Sequence, residues 1–254
     1  MSWAARRRFI IVSIIGAVVV AFFATVGIAT FYETPTCSDG KQNQDETGVD
    51  CGGSCRYLCT AEQIAPTVLF ARPLQTGNGR TDVIAEVENK NATAAAKDVP
   101  YTITFYDSTQ TFVQNIQGTL DLPPSATVPI FMSGISSGKQ VVTAAFLTVD
   151  SSAVKWYRLI TDPRVVPDVA SPTLGGTTAA PRIEAAFTNP TTMVLSDIKA
   201  IVVVRNDRGD VIAASQTIVP TIPAQGVAKA IFTWNEPFMD VPARIEVTPI
   251  TPLP

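Results

Sequence analysis

"VIAEVENKNATAAAKDVPYTITFYDSTQTFV", Val83 to Val113, carries a two-residue period twice over. Val83, Ala85 and Val87 alternate with Ile84, Glu86 and Glu88, and later Tyr101, Ile103 and Phe105 alternate with Thr102 and Thr104. Successive side chains of a strand point to opposite faces, so this period predicts half-buried antiparallel strands. "YDSTQT" then reads as a hairpin turn, where Asp and Ser accept backbone angles that bulkier residues resist. "LPPSA" at Leu122 closes the next strand, because proline cannot donate to a ladder.

A second stretch has the same layout: "IEAAFTNPTTMVLSDIKAIVVVRNDRGDVI", Ile183 to Ile212. Asn89 is matched by Asn189, Asp107 by Asp207, and Leu122-Pro123 by Ile222-Pro223. Ile130-Phe131 meets Ile231-Phe232 after a one-residue slip, and Phe146–Val149 meets Ile245–Thr248. One spacing near one hundred, held through several turns, predicts tandem domains of about 95 residues with about seven strands each. Threonine, valine and isoleucine abound, and strong helical patterns are missing outside the N-terminus. The pattern V-x-N-x-N … D-V-P-Y-x-I-x-F-Y-D resembles bacterial FxLYD-type and late-embryogenesis-type immunoglobulin-like folds. Asn89, Phe105, Tyr106 and Asp107 carry that likeness, whereas the second stretch has Val204-Arg205-Asn206 in place of the aromatic pair. No cysteine falls inside either domain, so the resemblance does not extend to a buried inter-sheet disulfide.

The N-terminus is different in kind. Phe9 to Phe31, "FIIVSIIGAVVVAFFATVGIATF", runs 23 residues without charge or proline. As a helix it would extend roughly 34 Å, slightly more than a bilayer core. Arg6, Arg7 and Arg8 precede it, while the next lysine is Lys41. The excess of positive charge before the span places the N-terminus in the cytoplasm and all later residues outside. Ser13, Gly16 and Ala17 would permit close approach of a second helix. The alternative is a cleaved signal peptide with a site at Gly27-Ile28-Ala29, but the apolar run is long for one. A core helix is disfavoured because the run has no polar face to turn toward water.

All the cysteines, Cys37, Cys51, Cys55 and Cys59, lie in "CSDGKQNQDETGVDCGGSCRYLC". On the exported side of a membrane, the spacing C-x13-C-x3-C-x3-C suits two disulfides in any of three connectivities. A zinc site would want C-x2-C pairs or histidines, and the chain has neither. Asp39, Asn43, Asp45, Glu46 and Asp50 are hard oxygen donors between the first cysteines, a candidate calcium set without the EF-hand spacing. The plainer reading is a loop whose Asp and Asn side chains cap its own turns. The string C-x-D-G-x-x-N-x-D-E-x-G-x-D-C-G-G-x-C resembles a short motif of secreted and surface-anchored microbial proteins. The match covers Cys37 to Cys55, and it implies extracellular exposure without a defined activity.

The fold expected is therefore mainly β: a cytoplasmic N-terminus (1–8), a transmembrane helix (9–31) and a small disulfide-bonded neck (32–60). Two tandem immunoglobulin-like β-sandwiches (61–152 and 153–254) follow. Net charge of −3 and a pI near 5.0 leave no basic footprint for nucleic acid. Gly134-Ile135-Ser136-Ser137-Gly138 fits the nucleophile-elbow string, but there is no histidine to serve as its base. Ser136 and Lys139 also form S-x-x-K, which in a strand–loop–strand context reads as a turn rather than a Ser–Lys hydrolase. Asn91-Ala92-Thr93 is a glycosylation sequon in a loop, and Arg208-Gly209-Asp210 sits on a turn. Trp156 and Tyr157 are expected to pack the seam between the sandwiches rather than form a ligand platform. The function expected is structural, adhesive or envelope-assembling and non-enzymatic, with the membrane and other surface proteins as partners. A calcium-dependent binding module is the alternative.

Overall fold

In a computed structural model, which describes residues 3–31, 35–76, 80–135 and 140–254, the chain falls into two units, Met1–Cys55 and Arg56–Pro254. The first begins with helix α1 (Trp3–Phe31). It starts earlier than the apolar run, because alanine and arginine are good helix formers. The three arginines thus lie in its first turns, and the Arg7 guanidinium sits 5.4 Å over the Trp3 ring. Ala5–Thr30 has a mean hydropathy of 2.8, long and apolar enough to cross a membrane, and none of it is buried against protein. The hydroxyls of Thr25 and Thr30 donate to the Ala21 and Val26 carbonyls at 2.6 and 2.7 Å. Their hydrogen bonds are thus made without water.

The second unit is built of antiparallel strands. Its first half has β1 (Thr67–Thr76), β2 (Arg80–Asn89), β3 (Ala94–Tyr106), β4 (Phe112–Leu122), β5 (Ala126–Ile135), β6 (Ala144–Val149) and the short β7 (Trp156–Arg158). These form one sheet in the order β1-β2-β5 and another in the order β4-β3-β6, with β7 paired to the start of β3. The two enclose a core in which Val83, Val87, Ile103, Phe105 and Leu122 are sealed from water. Each such side chain contributes roughly 1.5–3 kcal/mol of burial.

The second half has β8 (Asp168–Val169), β9 (Thr173–Thr177), β10 (Ala180–Thr188), β11 (Leu195–Arg205), β12 (Val211–Ile222), β13 (Val227–Thr233) and β14 (Arg244–Ile250). Its sheets run β13-β10-β8, with β9 also on β10, and β12-β11-β14. Ile183, Phe187, Val202, Val204 and Phe232 fill its core.

Asn89 and Asn189 occupy matching corners. The Asn89 amide donates to the Ala94 and Pro123 carbonyls at 2.8 and 2.7 Å, and Asn189 to those of Met193 and Pro223 at 2.6 and 3.1 Å. The spacing is one residue short of one hundred between Met193 and Asn206, because the loop after Asn189 is one residue shorter, and it is one hundred again at Ile222-Pro223. The turn role of Asp107, which accepts the Thr109 and Thr111 N–H groups, therefore falls to Asn206 and not to Asp207. Ile130 corresponds to Ala230, since each faces the matching alanine of its neighbour, Ala85 or Ala185. Phe146 corresponds likewise to Glu246, opposite Thr104 and Val203.

Trp156 packs in the core of the first half, and β7 pairs with β3 there. The two halves join through a third apolar cluster: Ile84 of β2 meets Ile201 and Val203 of β11 and Val211 and Ala214 of β12. Residues 200–204, Ala-Ile-Val-Val-Val, are consequently buried on both faces of their strand. At the edge of this junction the Glu86 carboxylate takes two hydrogen bonds from the Arg205 guanidinium, at 2.7 and 2.8 Å. The chain then returns to the first half. The Leu253 N–H donates to Asp121 at 2.7 Å, and its side chain packs on Ala95 and Tyr157. Tyr157 thus sits at the seam, whereas Trp156 is interior to the first half.

Candidate functional site

The cysteine-rich segment holds the candidate calcium residues, and its geometry starts from tight turns. Gly40 (φ +73°), Gln44 (+52°), Asp50 (+56°), Gly52 (+77°) and Gly53 (+54°) all lie in the left-handed region. At Gly53 a Cβ would come within 2.1 Å of the Asp45 carbonyl oxygen, so a side chain there would displace backbone. Cys37 and Cys55 form a disulfide with Cα atoms 5.7 Å apart. Cys51 and Cys59 are disulfide-bonded too, so two disulfides hold this region and no cysteine is free.

The acidic side chains are turned onto the segment's own groups. Asp39 accepts from the Lys41 and Thr36 N–H groups at 2.9 and 3.1 Å and from the Asn43 amide at 2.8 Å. Asp50 accepts the Gly40 N–H on both oxygens, at 3.1 and 3.0 Å. Asp45 takes the Ser54 hydroxyl at 2.7 Å, and buried Glu46 takes the Asn43 and Asp50 N–H groups at 3.2 and 3.3 Å. This is how Asx and capping turns are built. Among the described residues, one trio of ligand-type atoms lies within 4.8 Å of one another: Cys37, Glu46 and Cys55. Its two sulfurs are bonded to each other and have no thiolate to offer a metal.

The hydrogen bonds from Asn43, Thr36 and Lys41 hold the Asp39 carboxyl below the usual 3.8 of an aspartate. The stability this contributes is fully present above 3.8 and is lost as pH falls through the lower folded value. A carboxyl ¹³C titration is expected to give Asp39 a midpoint below 3.8, and Asn43→Ala to move that midpoint upward.

No family model and no curated protein matches this chain. Among solved structures, a transglutaminase from red sea bream aligns at 14% identity and a TM-score of 0.26. It covers 73% of this chain, which spans only 29% of that protein's length. A likeness at that level carries no argument about either fold or activity.

Ser136 and Lys139 lie outside the described residues. Asn91 is buried, and its amide nitrogen donates to the Ile64 carbonyl at 2.7 Å and to Asn89 at 2.9 Å. A glycan on that nitrogen is incompatible with this packing. In the Arg208-Gly209-Asp210 turn, Arg208 pairs with Asp240 at 2.9 Å and Asp210 with Arg72 at 3.7 Å. The motif's charges are engaged within the chain.

The junction was not foreseen as a site, and it holds a nearly buried ion pair. The Glu86 and Arg205 side chains are 9% and 17% exposed, and Arg205 also lies 5.1 Å over the Phe70 ring. Burial pushes the Glu86 carboxyl above the ordinary glutamate range, outweighing the pull of the Arg205 charge. The sequence signal was the apolar run at 200–204, which is longer than a one-faced strand needs.

Proposed function

We propose that this chain is an exported, membrane-anchored protein whose β-rich part acts outside the membrane in a structural or adhesive role, without enzymatic activity. One observation carries the reading: every cysteine is oxidised, in a segment that comes a few residues after a helix with a long uncharged apolar run. Disulfides persist in oxidising compartments, and three arginines ahead of the span favour a cytoplasmic N-terminus.

The β part is read as two tandem immunoglobulin-like modules. The matching strand orders and the matching corners of Asn89 and Asn189 support this. A shared apolar junction and a buried ion pair favour modules that move as one body, as a load-bearing or presenting element requires. Protease added to intact cells is expected to cut the β part. Alkylation of the denatured, unreduced chain is expected to label no thiol. Sparing of the β part, or four alkylated cysteines, overturns the assignment.

A further inference from the structure

The two halves meet through non-equivalent faces. Outward positions of the β1-β2-β5 sheet in the first half pack on outward positions of the β12-β11-β14 sheet in the second. The sheet of the first half that matches β12-β11-β14 is β4-β3-β6, and among the described residues no strand packs on its outer face, where Phe112 and Phe146 are exposed. The residues differ accordingly. Ile201 and Val203 fill the covered face, and the same register positions on the uncovered face are Thr102 and Thr104. Both pairs are β-branched and suit a strand, so the change is one of polarity and not of backbone preference.

The uncovered face ends in an aromatic cluster. Tyr106 stands between Phe112 and Phe146, with ring centroids 6.4 and 5.7 Å away, and the two phenylalanines are 54% and 59% exposed. Toward the other end lies a groove of about 610 Å³ lined by Thr102, Gln117, Thr119 and Thr148. None of the outward positions shared in register by residues 100–106 of β3 and their partners in β4 and β6 carries a charge. The acids nearby in sequence are turned onto their own loops. Asp107 accepts the Thr109 and Thr111 N–H groups, both at 2.9 Å, and Asp150, at the groove's rim, accepts the Ser152 N–H and hydroxyl at 3.0 and 2.6 Å. The other uncovered sheet face is of opposite character, with Glu184 bridging Arg182 and Lys229 at 2.7 and 3.0 Å.

We propose that the outer face of the β4-β3-β6 sheet binds an uncharged polysaccharide, stacked on Tyr106, Phe112 and Phe146 and hydrogen-bonded along Thr102, Thr104 and Gln117. The chemistry favours this occupant over another protein. In a dry protein interface, the hydroxyl and amide groups of such a face would be stranded at a cost. A chain of sugars offers apolar C–H faces to aromatic rings, whose faces are electron-rich, and hydroxyls at every ring edge. An uncharged ligand also suits a face from which charge has been kept. A second copy of this chain is disfavoured, because Thr102 and Thr104 stand where the existing junction uses isoleucine and valine.

This inference gives the proposed adhesive role its ligand class, and relies on that role only for exposure outside the cell. Its test uses the purified full chain in nanodiscs, so the outcome is independent of the protease experiment on cells. Hydroxyethylcellulose, mannan, dextran and amylose serve as uncharged probes in biolayer interferometry, with alginate and heparin as charged ones. At least one uncharged probe is expected to bind, with affinity falling tenfold or more in Phe112→Ala/Phe146→Ala. Thr102→Val/Thr104→Val keeps the β-branched backbone preference and is expected to weaken binding likewise, with an unchanged melt, while Ile231→Ala on the opposite face leaves it intact. Binding of none of the four uncharged probes overturns the proposal. So does binding that ignores both double variants, preference for the charged probes, or concentration-dependent self-association lost in Phe112→Ala/Phe146→Ala.

Discussion

Replacing Arg205 with methionine is expected to cost the folded chain about 3–5 kcal/mol, the usual penalty for stranding one partner of a buried ion pair. For a unit of this size that lowers the melting temperature by on the order of 10 °C. The loss falls on Glu86, whose carboxylate takes its two shortest bonds, at 2.7 and 2.8 Å, from Arg205, and on Glu246, 3.4 Å from Arg205 Nε. Its pH dependence has a definite sign. Glu86 already binds its proton more tightly than an ordinary glutamate at 4.5, and removing the guanidinium raises that affinity further. A carboxyl raised in the folded state favours folding at low pH and loses that contribution as pH rises through the raised value. The deficit of Arg205→Met should therefore be largest at pH 7 and shrink toward pH 5. The double variant Glu86→Leu/Arg205→Met should recover most of the stability, because two well-packed apolar groups can replace such a pair without net loss. A deficit of equal size at both pH values, or a double variant less stable than Arg205→Met, would show that Arg205 acts through packing on Phe70 instead.

That junction also marks where sequence reading stopped short. Alternation at Val83, Ala85 and Val87 was enough to assign strands, because one face of β2 lines a core and the period of two is a local property. The other face of the same strand carries Ile84, which breaks the alternation because a second sandwich covers it. At a single position such as Ile84, nothing local distinguishes an apolar residue that another sheet covers from one left in water; only the longer run at 200–204 carries that signal. The corner asparagines are visible as a recurring letter, but the register between them is not: the spacing shortens by one after Asn189 and returns to one hundred by Ile222, and neither change alters the composition. The neck was legible in its disulfides and opaque in its acids. Asp39 and Asp50 close their own turns, and in sequence such acids look the same as a set of cation ligands. The aromatic face of the first half was hidden for a related reason: Tyr106, Phe112 and Phe146 come from three strands, and only the register brings them together.

Asn89→Ala is expected to cost about 3 kcal/mol or more, because each buried polar group left without a partner costs about 1–3 kcal/mol. The side chain is 1% exposed and serves groups on at least three neighbouring residues at once. Its nitrogen donates to the Ala94 and Pro123 carbonyls, and its oxygen accepts the Asn91 N–H at 3.0 Å and the Asn91 amide at 2.9 Å. No alanine-sized group can do this, and an aspartate can do only half of it. With Asn89→Asp the introduced carboxylate faces two carbonyl oxygens, so its proton is held above the normal value, and stability should fall as pH rises from 4 to 7. The alanine variant should show no such slope. Asn189→Ala should match Asn89→Ala within about 1 kcal/mol, since Asn189 is equally buried and makes the equivalent bonds. The two substitutions should differ in reach. Asn91, held by Asn89, in turn accepts the Ile64 N–H at 2.8 Å and donates to the Ile64 carbonyl at 2.7 Å. Asn89→Ala should therefore speed hydrogen exchange at the Ile64 amide, whereas Asn189→Ala, whose oxygen serves Thr191, should leave that amide protected. Equal exchange at Ile64 in both variants would separate the corner from the segment that leads into the first sandwich, and would confine Asn89 to closing its own loop.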